Sequence, residues 1–317
     1  MELFRDSKID WLGKKWYFLG FSLIFSVAGV FSMLFWHGIP RGVDFKGGTQ
    51  IQVQFTSTPS EDHIRQALAS AGVKDAIVYP ISDTNGRSAN TEVISLPEAA
   101  DSAHDVGSTE VQSALSTGYH DSGFTIQKTD IVGPTAGKQL QRQAALATGY
   151  SLLGMLIYLW FRFELIYGVA AVVAVFHDTL ITVGAFSLTN QEITLTVIAA
   201  ILTLIGYSMN DTIVVFDRIR ENLALSRRET LTDVVTRSIN QTLSRTVISS
   251  GLTFLTVLSL LLFGGPVLRG FSFALTVGIV IGTYSSIAVA APMLVAYQDW
   301  RKSQGKVANL PAKRARA

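Results

Sequence analysis

The chain has 317 residues, no cysteine, a formal net charge of +2 and a mean hydropathy of +0.34. The lack of cysteine excludes disulfides, thiolate metal sites and cysteine nucleophiles, and so small a net charge leaves no electrostatic footprint for nucleic acid. The apolar fraction of 48% is ordinary for a globular protein, but several stretches of roughly 20 residues, enough to cross a bilayer as a helix, carry almost no charge.

The first of these is Tyr17–Trp36, preceded by Lys14 and Lys15. It exceeds the length of a signal-peptide core, and His37-Gly38-Ile39-Pro40-Arg41 follows it in place of a small-x-small cleavage site, so it reads as an uncleaved first transmembrane helix. Trp16, Tyr17 and Trp36 stand where interfacial aromatics belong.

From Arg41 to Lys138 charges return and no apolar run reaches spanning length. Thr49–Phe55 alternates apolar and polar residues, the period of a half-buried strand. Pro59–Gly72 reads as a helix, with Ser60 as N-cap, Glu61 and Asp62 in the first turn, Ile64, Ala67, Leu68 and Ala71 on one face, and Gly72 as the stop. Ala76–Ile81 and Thr91–Leu96 read as strands on either side of the turn-forming Asp83-Thr84-Asn85-Gly86. A helix over Ser108–Tyr119 and a strand over Phe124–Val132 complete a β-α-β-β-α-β order, the ferredoxin-like pattern.

After Gly133-Pro134 five more spans are expected, at Leu140–Phe161, Leu165–Leu188, Ile193–Phe216, Thr246–Phe263 and Phe271–Tyr297. The fold class is thus an α-helical bundle of six transmembrane helices with an extracytoplasmic α+β insert between the first and second. Orientation follows from loop charge. The Arg218–Arg245 loop carries Arg218, Arg220, Arg227, Arg228, Arg237 and Arg245, and the tail carries Arg301, Lys302, Lys306, Lys313, Arg314 and Arg316. Ser187–Glu192 has no Lys or Arg, and Gly264–Gly270 has only Arg269. Residues 1–40 are read as a cytoplasmic N-terminus with the first helix, 41–138 as the outer domain, 139–298 as the remaining helices and 299–317 as a basic cytoplasmic tail. That tail reads as a topology determinant that also suits anionic membrane lipid.

A charge inside a span costs at least a few kcal/mol and needs a reason. Asp211 lies about 9 Å deeper along its helix than Asp217, six residues at 1.5 Å each, and is too short to snorkel. Ser208, Asn210 and Thr212 cluster around it in sequence as hydrogen-bonding candidates. A carboxyl in that position suits reversible protonation; the alternative is an Asp that only bonds neighbouring helices. Asp178, beside His177, is a second acid within a span, either a relay partner of Asp211 or a group satisfied by a neighbouring helix. Arg245 opens the fifth span and by position alone is a snorkelling arginine, while Asp217 and Arg218 read as a salt-bridged helix end. Gly278 and Gly282 form a small-xxx-small face in the last span. The sequence has no Gly-rich phosphate loop, zinc-ligand spacing or nucleophile elbow, so neither a cofactor, a metal nor a hydrolytic site is expected.

Five segments together resemble the SecD/SecF family of protein-export membrane proteins, in its SecF branch, within the resistance–nodulation–division superfamily. They are Val43-Asp44-Phe45-Lys46-Gly47-Gly48-Thr49, Ile131-Val132-Gly133-Pro134, the run Tyr207–Asn222, Gln241-Thr242-Leu243-Ser244-Arg245-Thr246 and Phe263-Gly264-Gly265-Pro266-Val267-Leu268. The resemblance spans about Tyr17 to Tyr297. It implies half of a pseudo-symmetric twelve-helix unit completed by a SecD-like subunit. That unit would associate in the inner membrane with the SecYEG channel and, after SecA-driven entry, use the proton-motive force to draw polypeptide outward. It also implies that Asp211 and Arg245 are the transport pair.

Overall fold

The computed structural model describes residues 9–73, 76–80, 90–96, 106–121, 123–163, 165–226 and 229–305. The turn expected at Asp83–Gly86, Arg227, Arg228 and the basic residues after Gly305 lie outside them. Helix α1 (Lys15–Phe31) continues through a π-helical turn at Ser32–Trp36 and is followed by a single helical turn, α2 (Val43–Lys46). The α+β domain, expected from sequence to lie outside, then runs β1 (Gly48–Phe55), α3 (Glu61–Ser70), β2 (Ile77–Pro80), β3 (Thr91–Leu96), α4 (Val106–Gly118) and β4 (Phe124–Val132).

The β-α-β-β-α-β order expected from sequence is present. Its four strands are antiparallel in the order β2-β3-β1-β4, the ferredoxin-like arrangement. The alternation in β1 sends Ile51, Val53 and Phe55 to the helix-covered face, where they meet Ile64, Ala67 and Leu68 of α3 and Val111, Ala114 and Leu115 of α4. Ser60 caps α3, its hydroxyl accepting from the His63 amide. Gly72, at φ +85°, stands just past the end of α3, in the left-handed region that glycine enters without strain.

Helices α5 (Pro134–Arg162), α6 (Leu165–Leu188), α7 (Leu195–Leu225), α8 (Leu231–Phe263), α9 (Pro266–Ser285) and α10 (Ala291–Ser303) complete the chain. Six helices among the described residues are long and apolar enough to cross a membrane, α9 and α10 counting as one through a π-helical turn at Ser286–Ala290. Pro292 explains that turn, because it lacks an N–H and crowds the carbonyl four residues earlier, so the ladder reorganises before it. The Arg218–Arg245 segment is not an open loop: α7 runs nine residues past Phe216 and α8 begins at Leu231, well before Thr246, leaving a short connection between two helix ends. Half of the apolar window is buried in α6 and in α7, but only 6% in α5, so α7 lies inside the bundle and α5 on its surface.

Candidate functional site within the membrane bundle

Along α7 the buried positions Ala200, Ile201, Leu204, Ile205, Ser208, Asp211, Thr212, Val215 and Phe216 repeat at three- and four-residue spacing. Ser208 and Asp211 belong to this stripe, so helix periodicity alone carries an acid and a hydroxyl into the interior. Asp211 is 2% exposed. Its Oδ2 accepts a hydrogen bond from Ser250 Oγ of α8 at 2.6 Å. Arg245 lies on the exposed flank of α8, just over one turn before Ser250. Among the described residues no ion pair joins it to Asp211. Tyr207 Oη and Thr246 Oγ1, each one turn from this hydrogen bond on its own helix, are buried without a hydrogen-bond partner among the described residues, which leaves spare polar capacity beside the acid.

Asp178 is 1% exposed and forms a second polar centre. Its Oδ2 accepts from Ser208 Oγ of α7 at 2.6 Å and from Ser285 Oγ of α9 at 2.8 Å, while its Oδ1 lies 3.0 Å from His177 Nδ1. One carboxyl thus ties α6, α7 and α9 together. Gly282 makes room for it: a Cβ there would stand 3.0 Å from Ser208 Cβ and 3.5 Å from Asp178 Oδ2. Gly278, one turn earlier, is pressed on Leu204 in the same way, so the Gly278/Gly282 pair seats α9 on α7 within this chain.

Ser208 therefore supports Asp178, although the sequence placed it beside Asp211, and Thr212 Oγ1 returns to the Ser208 carbonyl. Asn210 is exposed on the opposite side of α7 and does not contribute to the acid's surroundings. Asp217 and Arg218 lie within the polar final stretch of α7, about two turns before its end at Leu225 and not at a helix end as the sequence suggested, and both are paired. Arg162 Nη2 donates to Asp217 Oδ1 at 3.2 Å, and Arg218 donates to Gln241 and Glu221. Sequence reading missed Ser250 and Ser285 as acid partners; both fall in small-residue runs, Ser249-Ser250-Gly251 and Ser285-Ser286, whose hydroxyls are the only signal.

A second junction lies at the end of the bundle next to the α+β domain. Asp44 Oδ2 accepts the Leu195 amide at the start of α7 at 2.8 Å. Gly42 N donates to the Ile193 carbonyl and Ile193 N to the Pro40 carbonyl. Phe45 is buried in the membrane-bundle core, and Gln141 Nε2 of α5 donates to its carbonyl at 2.8 Å.

The family model for the C-terminal part of protein export membrane proteins SecD/SecF matches residues 112–300, and the SecD/SecF GG motif model matches residues 35–59. The chain belongs to the SecD/SecF family. A protein translocase subunit SecF from Koribacter versatilis is 51% identical over 97% of this chain and 96% of its own length, and one from Calditerrivibrio nitroreducens is 41% identical over 95% and 98%. The crystal structure of SecDF from Thermus thermophilus, a translocon-associated membrane protein, matches with a TM-score of 0.84 at 36% identity, covering 94% of this chain and 40% of that one. Membership in the SecD/SecF family makes the chain a multi-pass membrane subunit of protein export.

Proposed function

We propose that this subunit converts proton movement through the bundle into work on an exported polypeptide. It would act with a SecD-like subunit in the inner membrane, beside the SecYEG channel and after SecA has started the substrate. The observation that carries the reading is Asp211: an acid 2% exposed, held by one hydroxyl from the next helix, with Arg245 as the neighbouring cation. A protonated Asp211 is neutral and does not attract Arg245, whereas an ionised one does. Protonation then changes which packing of α7 and α8 is favoured, provided the two packings contact the acid differently. The membrane potential supplies about 2.3 kcal/mol per charge per 100 mV, to which the pH difference adds.

Two observations support the partner and a third the orientation. The SecDF relatives carry a region like this chain as part of a longer one: the Brucella abortus protein is 40% identical, with the match covering 33% of its length. The apolar window of α5 is almost wholly uncovered, a surface for a second subunit or for lipid. The arginine-rich ends of α7 and α8 support a cytoplasmic side for both termini by the loop-charge rule, with the α+β domain outside.

The test is precursor export in cells. Asp211→Asn keeps size and hydrogen bonding but releases no proton, and it should remove gradient-dependent export while leaving the protein folded and partner-bound. Arg245→Lys keeps the charge and loses the planar fork, giving a partial defect, and Asp217→Asn a milder one. Normal export by a well-expressed Asp211→Asn protein would replace the proton-carrier reading with a purely structural role in assembly.

A further inference from the structure

The double-glycine segment after α1 has no part in the proton site, yet it connects the helix that bears that site to the outer domain. We propose that Asp44, Phe45 and the Gly47-Gly48 pair form the mechanical joint through which a displacement of α7 reaches the outer domain, with Asp44 as its positioning residue. The inference rests on the proton-driven reading of Asp211.

The first-turn N–H groups of a helix have no partner within it. In α7 the Val197 amide is served locally, by the Thr194 hydroxyl at 3.4 Å. The Leu195 amide is served by a carboxylate 151 residues away in sequence, Asp44 Oδ2 at 2.8 Å. Two backbone hydrogen bonds reinforce the contact, Gly42 N to Ile193 O at 2.9 Å and Ile193 N to Pro40 O at 2.7 Å, beside a parallel bridge between Arg41 and Ile193. The start of α7 is therefore held to the segment 40–44 by three hydrogen bonds.

Downstream of Asp44 the chain is gripped again. Phe45, 6% exposed, sits in the same apolar cluster as Ile193, Val197 and Ile201. The first turns of α5 close over it. Gln141 donates to the Phe45 carbonyl, and Gly137 approaches so closely that a Cβ there would stand 3.1 Å from that carbonyl oxygen and 3.3 Å from Gly47 N. The two glycines then turn the chain with φ of +77° and +125°, conformations in which other residues are strained. Strand β1 begins at Gly48, which pairs with Val132, the last residue of β4, two residues before α5. Strands β1 and β4, paired at Gly48 and Val132, thus both meet the bundle at this point.

From Leu195 to Asp211 is sixteen residues of unbroken helix, about 24 Å at 1.5 Å per residue. Such a rod carries a shift made at Asp211 to its own N-terminus, and Asp44 passes it to β1, whose Ile51, Val53 and Phe55 are the outer domain's core. The joint is polar and short where a flexible linker would absorb the movement.

The experiment uses the full chain reconstituted in vesicles with its SecD-like partner. Nitroxide labels go on Ser116→Cys in α4 and Ser249→Cys in α8, both exposed and in a chain with no native cysteine. In Asp44→Ala the distribution of label distances should broaden, the gradient-dependent shift of its mean should vanish, and precursor export should fall at least fivefold while proton entry stays within twofold of the parent. Asp44→Asn retains an acceptor for the Leu195 amide and should restore the narrow distribution and most of the export. An unchanged distribution in Asp44→Ala, or proton entry falling in parallel with export, would overturn the joint. Should the parent protein itself admit no protons, the proton reading fails alone, and the width of the distribution in the Ala and Asn variants still decides whether Asp44 fixes the domain to the bundle.

Discussion

In the α+β domain, Ile51, Val53 and Phe55 of β1 meet Ile64, Leu68 and Leu115 across an interior that is apolar apart from Glu92. In the bundle, helices approach one another at glycines, Gly29 against Gly184 and Gly278 against Leu204, and the buried acids are held by serines. Water drives the first kind of packing. Lipid offers no comparable drive between helices, so the second depends on close backbone approach and interhelical hydrogen bonds. The two regions also bury acids differently. Asp178 has two hydroxyl donors and a histidine, whereas Glu92, on the helix-covered face of β3 and 4% exposed, has an Oε2 with no hydrogen-bond partner among the described residues. An unsatisfied acid in the small α+β core is a stability liability, while a satisfied one between packed helices ties them together.

The largest effect that would break this contrast is steric. A Cβ on Gly184 would stand 2.7 Å from Gly29 Cα, backbone against backbone, so α1 and α6 must separate. Gly184→Leu should cost about 3 kcal/mol or more, read as loss of a monodisperse, thermally cooperative protein in detergent. An unchanged melting midpoint would show that α1 is not seated by this contact.

The next effect is polar. Asp178→Ala removes the acceptor shared by Ser208, Ser285 and His177. Ser285 retains the Gly282 carbonyl at 3.2 Å as an alternative, so a loss of about 1–2 kcal/mol is expected. Detergent unfolding curves measure it, with Asp178→Asn, which keeps an acceptor, losing less. Equal stability of Asp178→Ala and the parent would remove Asp178 from the helix contacts.

The smallest effect belongs to the α+β domain and depends on pH. Burial pushes Glu92 up from 4.5 to about 7, Glu61 adds to the shift and Arg65 opposes it. The folded pKa lies above the unfolded one, so the associated stability is complete below about pH 4.5 and is lost as pH rises through about 7. The slope is at most about 1.4 kcal/mol per pH unit. Segment 41–138 expressed alone should melt lower at pH 8 than at pH 5, and Glu92→Gln should flatten the difference. A parent domain with no pH dependence in that window would show that Glu92 reaches water.

Much of this was legible from sequence, and the failures have physical causes. The period-2 alternation of Thr49–Phe55 and the Ser60 cap located β1 and α3 because both signals are local. The beginning of α8 was misplaced because Arg237 and Arg245 interrupt the apolar run while the helical hydrogen bonds continue through them. Asn210 was placed beside Asp211 because they are sequence neighbours, but one residue along a helix is about 100° of rotation, and Asn210 faces outward. Ser250 was missed as the partner of Asp211 because that contact joins two helices across 39 residues, and no periodicity records which hydroxyl will face which acid.

The proposed function requires Asp211 to exchange protons during transport. It is tested most directly by reconstituting the subunit with its SecD-like partner in vesicles, imposing a proton gradient and following entry with an internal pH dye. The account predicts gradient-driven proton entry for the parent protein and none above the level of empty vesicles for Asp211→Asn. Equal entry for the two would contradict it.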